Sequence, residues 1–228
     1  MKGYTGVAEN GQAIQYVDRK RWFWLLSVLF PLQALLPVAL HASSGNELWF
    51  LLPLVIYYLL VPALDWVIGG DTNNPPDEVI MQLEQDVFYR RLTYVVVPLH
   101  FITLFGCAAY ALTQPLSWWA FVLLAVVAGL TAGLAINTGH ELGHKNSKTE
   151  RTLSKIVLAV AAYGHFTVDH NRGHHRLVST PEDEASARMG ESIYTFALRE
   201  IPGAFRRAWA IERERLASRN QPLWHYSN

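Results

Sequence analysis

Ser117-Trp-Trp-Ala-Phe-Val-Leu-Leu-Ala-Val-Val-Ala-Gly-Leu-Thr-Ala-Gly-Leu-Ala-Ile-Asn-Thr-Gly-His-Glu-Leu-Gly-His144 is apolar for most of its length and then turns polar and histidine-bearing. As one helix it extends about 42 Å at 1.5 Å per residue, of which a bilayer's hydrocarbon core takes ~30 Å. The stretch therefore reads as a membrane span whose last turns emerge beyond the lipid. His140 and His144 stand there at i and i+4, on one helix face with Cβ atoms about 5–6 Å apart, a spacing at which two imidazoles can grip one metal ion. A second cluster follows at Asp169-His170-Asn171-Arg172-Gly173-His174-His175. Five of the nine histidines thus fall in two short boxes.

Three further apolar stretches, roughly 22–42, 48–68 and 93–112, join 117–137 as candidate spans of about 20 residues each. Prolines at 31, 37, 53, 62 and 98 would break soluble helices, but a membrane bundle tolerates them because neighbours satisfy the freed carbonyls. Tryptophans 22, 24, 49, 66, 118 and 119 sit near the ends of these stretches, as an aromatic belt does. The links 43–47 and 113–116 hold no Lys or Arg. All 19 basic residues lie in residues 1–21, in the 69–92 link or after residue 137, and by the positive-inside rule those regions face the cytoplasm.

The expected fold is an all-α, multi-pass membrane helical bundle in a single domain. It has a polar cytoplasmic leader (1–21), four transmembrane helices (22–137) with a cytoplasmic link (69–92), and a cytoplasmic histidine-box region (138–228). The link opens as a turn-rich loop and continues as a short interfacial helix over 77–91. Leu153–Val168 is apolar but short for a span, and reads as a membrane-associated helix returning His170 toward His144. The end of the chain is expected to be helical over 197–219. Zero net charge argues against a general nucleic-acid binder. The single cysteine, Cys107, excludes a disulfide framework within the chain. No cleavable signal sequence is apparent at the N-terminus.

His140-Glu141-Leu142-Gly143-His144 also satisfies H-E-x-x-H, in which two histidines hold zinc and Glu141 is the general base. That reading leaves the second box idle. A zinc hydrolase needs three protein ligands and an open position, whereas five imidazoles suit two ions better than one, and imidazole is a good iron ligand. His165 reads as a packing histidine or an extra ligand. Glu141, Asp169, Glu182, Asp183 and Glu191 are candidates to orient ligand imidazoles through their second nitrogen; solvated charge is the bland alternative for each. Tyr57, inside the second span, is a candidate to line a substrate cavity, packing or lipid contact being the plainer role. His41, His100 and His225 read as interfacial or structural.

His140-Glu-Leu-Gly-His-Lys145, Tyr163-Gly-His-Phe166, His170-Asn-Arg-Gly-His-His175, Thr180-Pro-Glu-Asp183 and Ala185-Ser-Ala-Arg-Met-Gly-Glu-Ser-Ile-Tyr194 together resemble the integral-membrane alkane 1-monooxygenases. Asp71-Thr-Asn-Asn-Pro-Pro76 and Gln82-Leu-Glu-Gln-Asp86 resemble that family's cytoplasmic loop. The resemblance implies an integral protein of the bacterial inner membrane with its N-terminus and boxes on the cytoplasmic side. It implies two non-haem iron ions held by His140, His144, His170, His174 and His175, O2 as co-substrate, and terminal hydroxylation of a medium-chain n-alkane taken from the bilayer. Electrons would come from rubredoxin, reduced by an NADH-dependent rubredoxin reductase. Asp169 and Glu184 stand where the family commonly has Glu and Pro. The family's third histidine box has no counterpart here, so the resemblance implies a partial sequence that would not turn over by itself. A membrane fatty-acid desaturase or hydroxylase is the nearest rival, and a zinc protease or a metal-sensing transporter the more distant ones.

Overall fold

The computed structural model describes residues 1–71 and 73–225. They divide into two compact units, Met1–Thr138 and Gly139–Asn228.

The first unit opens on an antiparallel hairpin, β1 (Lys2–Val7) and β2 (Ala13–Asp18), in the register Tyr4↔Tyr16. This corrects the expectation of a plain polar leader; the remaining described elements are helical, which fits the expected all-α membrane bundle. Asn10-Gly11 makes the turn: Gly11 takes φ 81°, and the Asn10 side chain accepts from the Gln12 N–H at 3.0 Å. A 3-10 helix (Arg21–Leu32) and α1 (Leu35–Ser44) follow, bent by 61°. The segment expected as the first span is therefore bent, as a broken span or a re-entrant loop would be. At the bend the Pro31 carbonyl accepts from the Thr103 hydroxyl at 2.6 Å, so a neighbouring helix satisfies what the break exposes.

The next apolar segment, α2 (Glu47–Ile68), mixes 3-10, α and π turns around Pro53 and Pro62. The link then forms α3 (Asp77–Glu84), which packs on β1 so closely that a Cβ at Gly6 would lie 2.5 Å from that of Glu78. The interfacial helix expected over 77–91 is interrupted at Gln85-Asp86. There the Asp86 carboxylate caps α4 (Val87–Thr113) by accepting from the Phe88 N–H at 2.8 Å. The same carboxylate accepts from the Tyr4 hydroxyl at 2.5 Å, from Lys2 at 2.9 Å and from Arg21 at 2.6 Å, tying the hairpin to the start of α4. Arg21 holds the Asp86 carboxyl far below the usual range. Burial, with Asp86 beside it, pushes the Tyr4 phenol up to about 12.

The long helix α5 (Trp118–Gly143) begins where Ser117 donates backbone N–H and hydroxyl to the two Glu47 oxygens, at 2.7 and 2.5 Å. Its first half packs a core of Ala120, Leu124 and Val127 with Ala34, Phe50 and Cys107. His41 stacks on Phe50 and pairs with the Tyr110 hydroxyl at 2.6 Å, which makes it structural. Among the described residues, three helices are long and apolar enough to cross a membrane, or four if the bent pair counts as one. They leave large apolar side chains such as Trp66, Val67, Phe105, Leu112 and Trp118 facing outward, a surface that water would not tolerate and lipid would.

In the second unit the apolar stretch expected as one short helix is broken. Helix α6 (Lys148–Leu158) runs into a 3-10 turn at Ala159–Ala161, and Ala162 reverses the chain at φ 52°. Helix α7 (Phe166–Asp169) then winds through a π turn (His170–His174) into His175–Leu177. The last helix, α8 (Ile193–Ala217), starts at a Ser192 cap and includes most of the expected 197–219.

Candidate metal centre

Box one is the last turn of α5, where the His144 N–H bonds the His140 carbonyl at 3.3 Å. Its packing depends on two glycines whose role sequence reasoning did not assign. The Gly139 carbonyl accepts from the buried Ser154 hydroxyl at 2.5 Å, and a Cβ on Gly139 would stand 2.5 Å from Leu158 Cγ. A Cβ on Gly143 would come within 3.2 Å of the Ser154 oxygen. Their i, i+4 spacing is a stripe that lets α6 press directly on the backbone carrying both histidines.

Box two meets box one through its imidazoles. The Nε2 atoms of His140 and His144 stand 3.0 Å apart, those of His144 and His170 3.1 Å, and those of His170 and His175 3.1 Å. Nitrogens of His140, His144 and His170 all lie within 4.8 Å of one another. Each neutral imidazole has one bare nitrogen, and several bare nitrogens facing one point is what a cation needs. The π turn makes this possible in box two, because its wider winding sets His170 and His175 on one face although they are five positions apart. Phe166 stacks on the His170 ring at 4.8 Å and fixes its plane.

Burial, then the neighbouring imidazoles His140 and His175, pushes His170 down to about 4. Burial and the same two neighbours lower His144. At neutral pH these rings are thus neutral, the form that ligates. The residues present fit a histidine-bound metal.

His174 is placed differently. Its ring stacks near His170 at 5.4 Å, and its Nδ1 pairs with Asp183 Oδ2 at 2.8 Å, leaving Nε2 as the donor a metal would use. Asp183 is almost fully buried. Burial pushes its carboxyl up, but the Ser186 hydroxyl (2.6 Å), His174 and the Ala185 N–H (3.1 Å) hold it below the usual range on balance.

The other candidates part company here. Asp169 is buried beside His170, yet it binds Arg207 of α8, not an imidazole: Nε to Oδ1 at 2.5 Å and Nη2 to Oδ2 at 3.0 Å. Glu141 is exposed, its oxygen 3.6 Å from His140 Nδ1. His165 packs edge-on against Tyr163 and Phe205 with its buried Nε2 unpaired, and lies outside the cluster of His140, His144 and His170. Tyr57 belongs to the first unit and accepts from the Gln33 amide. Glu191 pairs with Arg199, which holds its carboxyl down at about 2. Arg207 was missed by sequence reasoning, and nothing near it in the sequence marks it out.

The fatty acid desaturase family model matches residues 116–226. Among curated proteins, the chain is 47% identical over 228 residues to an alkane 1-monooxygenase of Pseudomonas putida, covering 100% of this chain and 56% of that protein. It is 50% identical over 213 residues to alkane 1-monooxygenase 1 of Alcanivorax borkumensis, covering 93% and 53%. To an alkane 1-monooxygenase of Ectopseudomonas oleovorans it is 49% identical over 216 residues, covering 95% and 54%. The chain spans about half the length of the curated relatives it matches. By sequence, along essentially its whole length, it is a relative of the alkane 1-monooxygenases.

Proposed function

We propose that this chain supplies two histidine boxes of a non-haem di-iron alkane 1-monooxygenase, which converts a medium-chain n-alkane and O2 to a 1-alkanol and water. Two electrons would come from rubredoxin, reduced in turn by an NADH-dependent rubredoxin reductase. The observation that carries this reading is the approach of the His140, His144 and His170 nitrogens to within 4.8 Å of one another, in a chain similar to enzymes of that name.

His140, His144, His170, His174 and His175 would hold the metal. When bound, iron supplies the capacity to activate O2. The chain's own residues position it: Asp183 fixes His174 through Nδ1, Phe166 fixes the plane of His170, and the two glycines let α6 brace box one. An alkane has no polar handle, so it partitions into lipid, and the outward apolar helices of the first unit suit a protein that meets its substrate there. Tyr57 is a proposed lining residue on that path, supported by its place in the second apolar segment. The basic residues support an inner-membrane protein with its N-terminus and boxes on the cytoplasmic side.

A fatty-acid desaturase or hydroxylase is the second reading, favoured by the family match over 116–226. A zinc protease would need Glu141 poised over the metal, whereas its carboxylate is exposed. A chimera tests these readings. This chain replaces the matching segment of the Pseudomonas putida relative, and membranes are given rubredoxin, its reductase, NADH and octane. 1-Octanol formation that disappears in His144→Ala and His170→Ala supports the proposal. Oxidised acyl chains without octanol would favour the second reading and sink the first.

A further inference from the structure

Arg207 sits 38 positions from Asp169 in the chain, yet its guanidinium is mostly buried and almost fully engaged. It donates from Nε and Nη2 to the two oxygens of Asp169, at 2.5 and 3.0 Å. Nη2 also lies 3.3 Å from Asp183 Oδ1, and Nη1 donates to the Glu182 carbonyl at 3.3 Å. Room for it is left by Gly173, where a Cβ would stand 2.6 Å from Arg207 Nε and 3.0 Å from Asp169 Oδ1. One cation thus joins the two carboxylates that flank box two. Asp169 adjoins His170 in the chain, and Asp183 holds His174.

Two buried carboxylates face one guanidinium, which takes both Asp169 oxygens and Asp183 Oδ1 and leaves Asp183 Oδ2 to His174. Two anions this close would repel without the guanidinium between them. The guanidinium between them offsets that repulsion, and Asp183 Oδ2, which already accepts from the Ser186 hydroxyl at 2.6 Å, stands as the acceptor toward His174 Nδ1. His174 must then carry its proton on Nδ1 and present Nε2 bare. A carboxylate behind that ring strengthens it as a ligand for a cation.

We propose that Arg207 is a positioning residue for the metal centre, which fixes the orientation and tautomer of His174 by holding Asp183 and Asp169 in place. This rests on the metal-centre reading above. Arg207 touches no metal and no substrate; it acts through two carboxylates. Gly173 belongs to the same device, since a Cβ there would force the guanidinium away from its present seat against Asp169.

The test uses the 228-residue chain in detergent micelles, with Co(II) as the probe ion. Its visible absorption reports affinity, and the ring nitrogen shifts of 15N-histidine, with His174 assigned by substitution, report the tautomer without metal. Arg207→Met is expected to weaken Co(II) binding about 10–100-fold and to shift the His174 nitrogens toward an exchanging mixture of tautomers. Arg207→Lys should recover part of both. Gly173→Ala should reproduce the defect with the arginine still in the chain, so the proposal stays testable if Arg207→Met does not fold. Arg215→Met, which removes the same charge from the same helix near Glu212, should leave both readouts at the parent values. Parent-like affinity and tautomer in Gly173→Ala and Arg207→Met would overturn the proposal, as would an equal loss in Arg215→Met. Failure of the parent chain to take up Co(II) would count against the metal-centre reading instead. The metal-free nitrogen shifts would then decide the role of Arg207 by themselves.

Discussion

His144 Nε2 and His170 Nε2, 26 positions apart in the chain, stand 3.1 Å from one another. Both rings are lowered in basicity by burial and by their imidazole neighbours, so their closeness reflects two neutral rings and not a pair of cations. Removing either ring should dismantle the centre. His144→Ala and His170→Ala are each expected to abolish stoichiometric Co(II) or Fe(II) uptake, measured by metal analysis after desalting. His41→Ala, whose ring is bound to Tyr110 in the other unit, should leave uptake unchanged.

Gly139 is where α6 meets box one. Gly139→Ala places a methyl 2.5 Å from Leu158 Cγ, and Leu158 is fully buried. Overpacking of this kind costs about 1–3 kcal/mol, and the displaced turn carries His140. Thermal unfolding in detergent should show the loss. Pairing it with Leu158→Ala should give a double variant less destabilised than the sum of the two single changes, because the second removes the clash that the first creates.

Asp86 makes the hairpin a pH-sensitive attachment. Its folded carboxyl lies below its unfolded value of about 3.9. Its stabilisation is therefore complete above that unfolded value and is lost as pH falls toward the folded one. Asp86→Asn should release the hairpin at pH 7, at a cost of roughly 3 kcal/mol for an uncompensated buried cation. Protease cleavage within residues 1–20 should rise accordingly. The difference from the parent chain should shrink as pH drops below about 4, where the carboxylate of the released hairpin begins to protonate and the attached form no longer gains from it.

The distribution of basic residues makes a prediction about sidedness. With Cys107 replaced by Ala, a cysteine at Ser44 should react with a membrane-impermeant maleimide added to intact cells, whereas one at Asn74 should react only after the cells are opened. Labelling of both from outside would overturn the proposed orientation.

Length and apolarity made the spans legible, since a 20-residue apolar run has few other uses. The i, i+4 spacing made box one legible, because α-helical geometry alone puts His140 beside His144. The hairpin was legible in principle: Asn10-Gly11 between β-branched and aromatic residues is a strong turn signal, but the loop runs over residues 8–12, and the flanking Ala8, Glu9 and Gln12 blur the strand alternation on either side. The break at Asp86 was less accessible, because the cap competes with an amphipathic pattern that runs through it. Arg207 had no local signal at all. Its partners lie 24 and 38 positions back in the chain, and a buried arginine on an amphipathic helix looks like any solvated one until the glycine opposite it is seen.

The π turn at His170–His174 carries one consequence for how box two can evolve. In an ordinary α-helix, residues five apart point about 140° away from each other, so His175 would swing off the cluster. The overwide coil absorbs that angle. Rewinding these same residues as ordinary α-helix would keep all five box histidines in the chain and swing His175 off the cluster. The count would be intact and the grip gone, which makes the winding itself, and not only the imidazoles, an inherited part of the site.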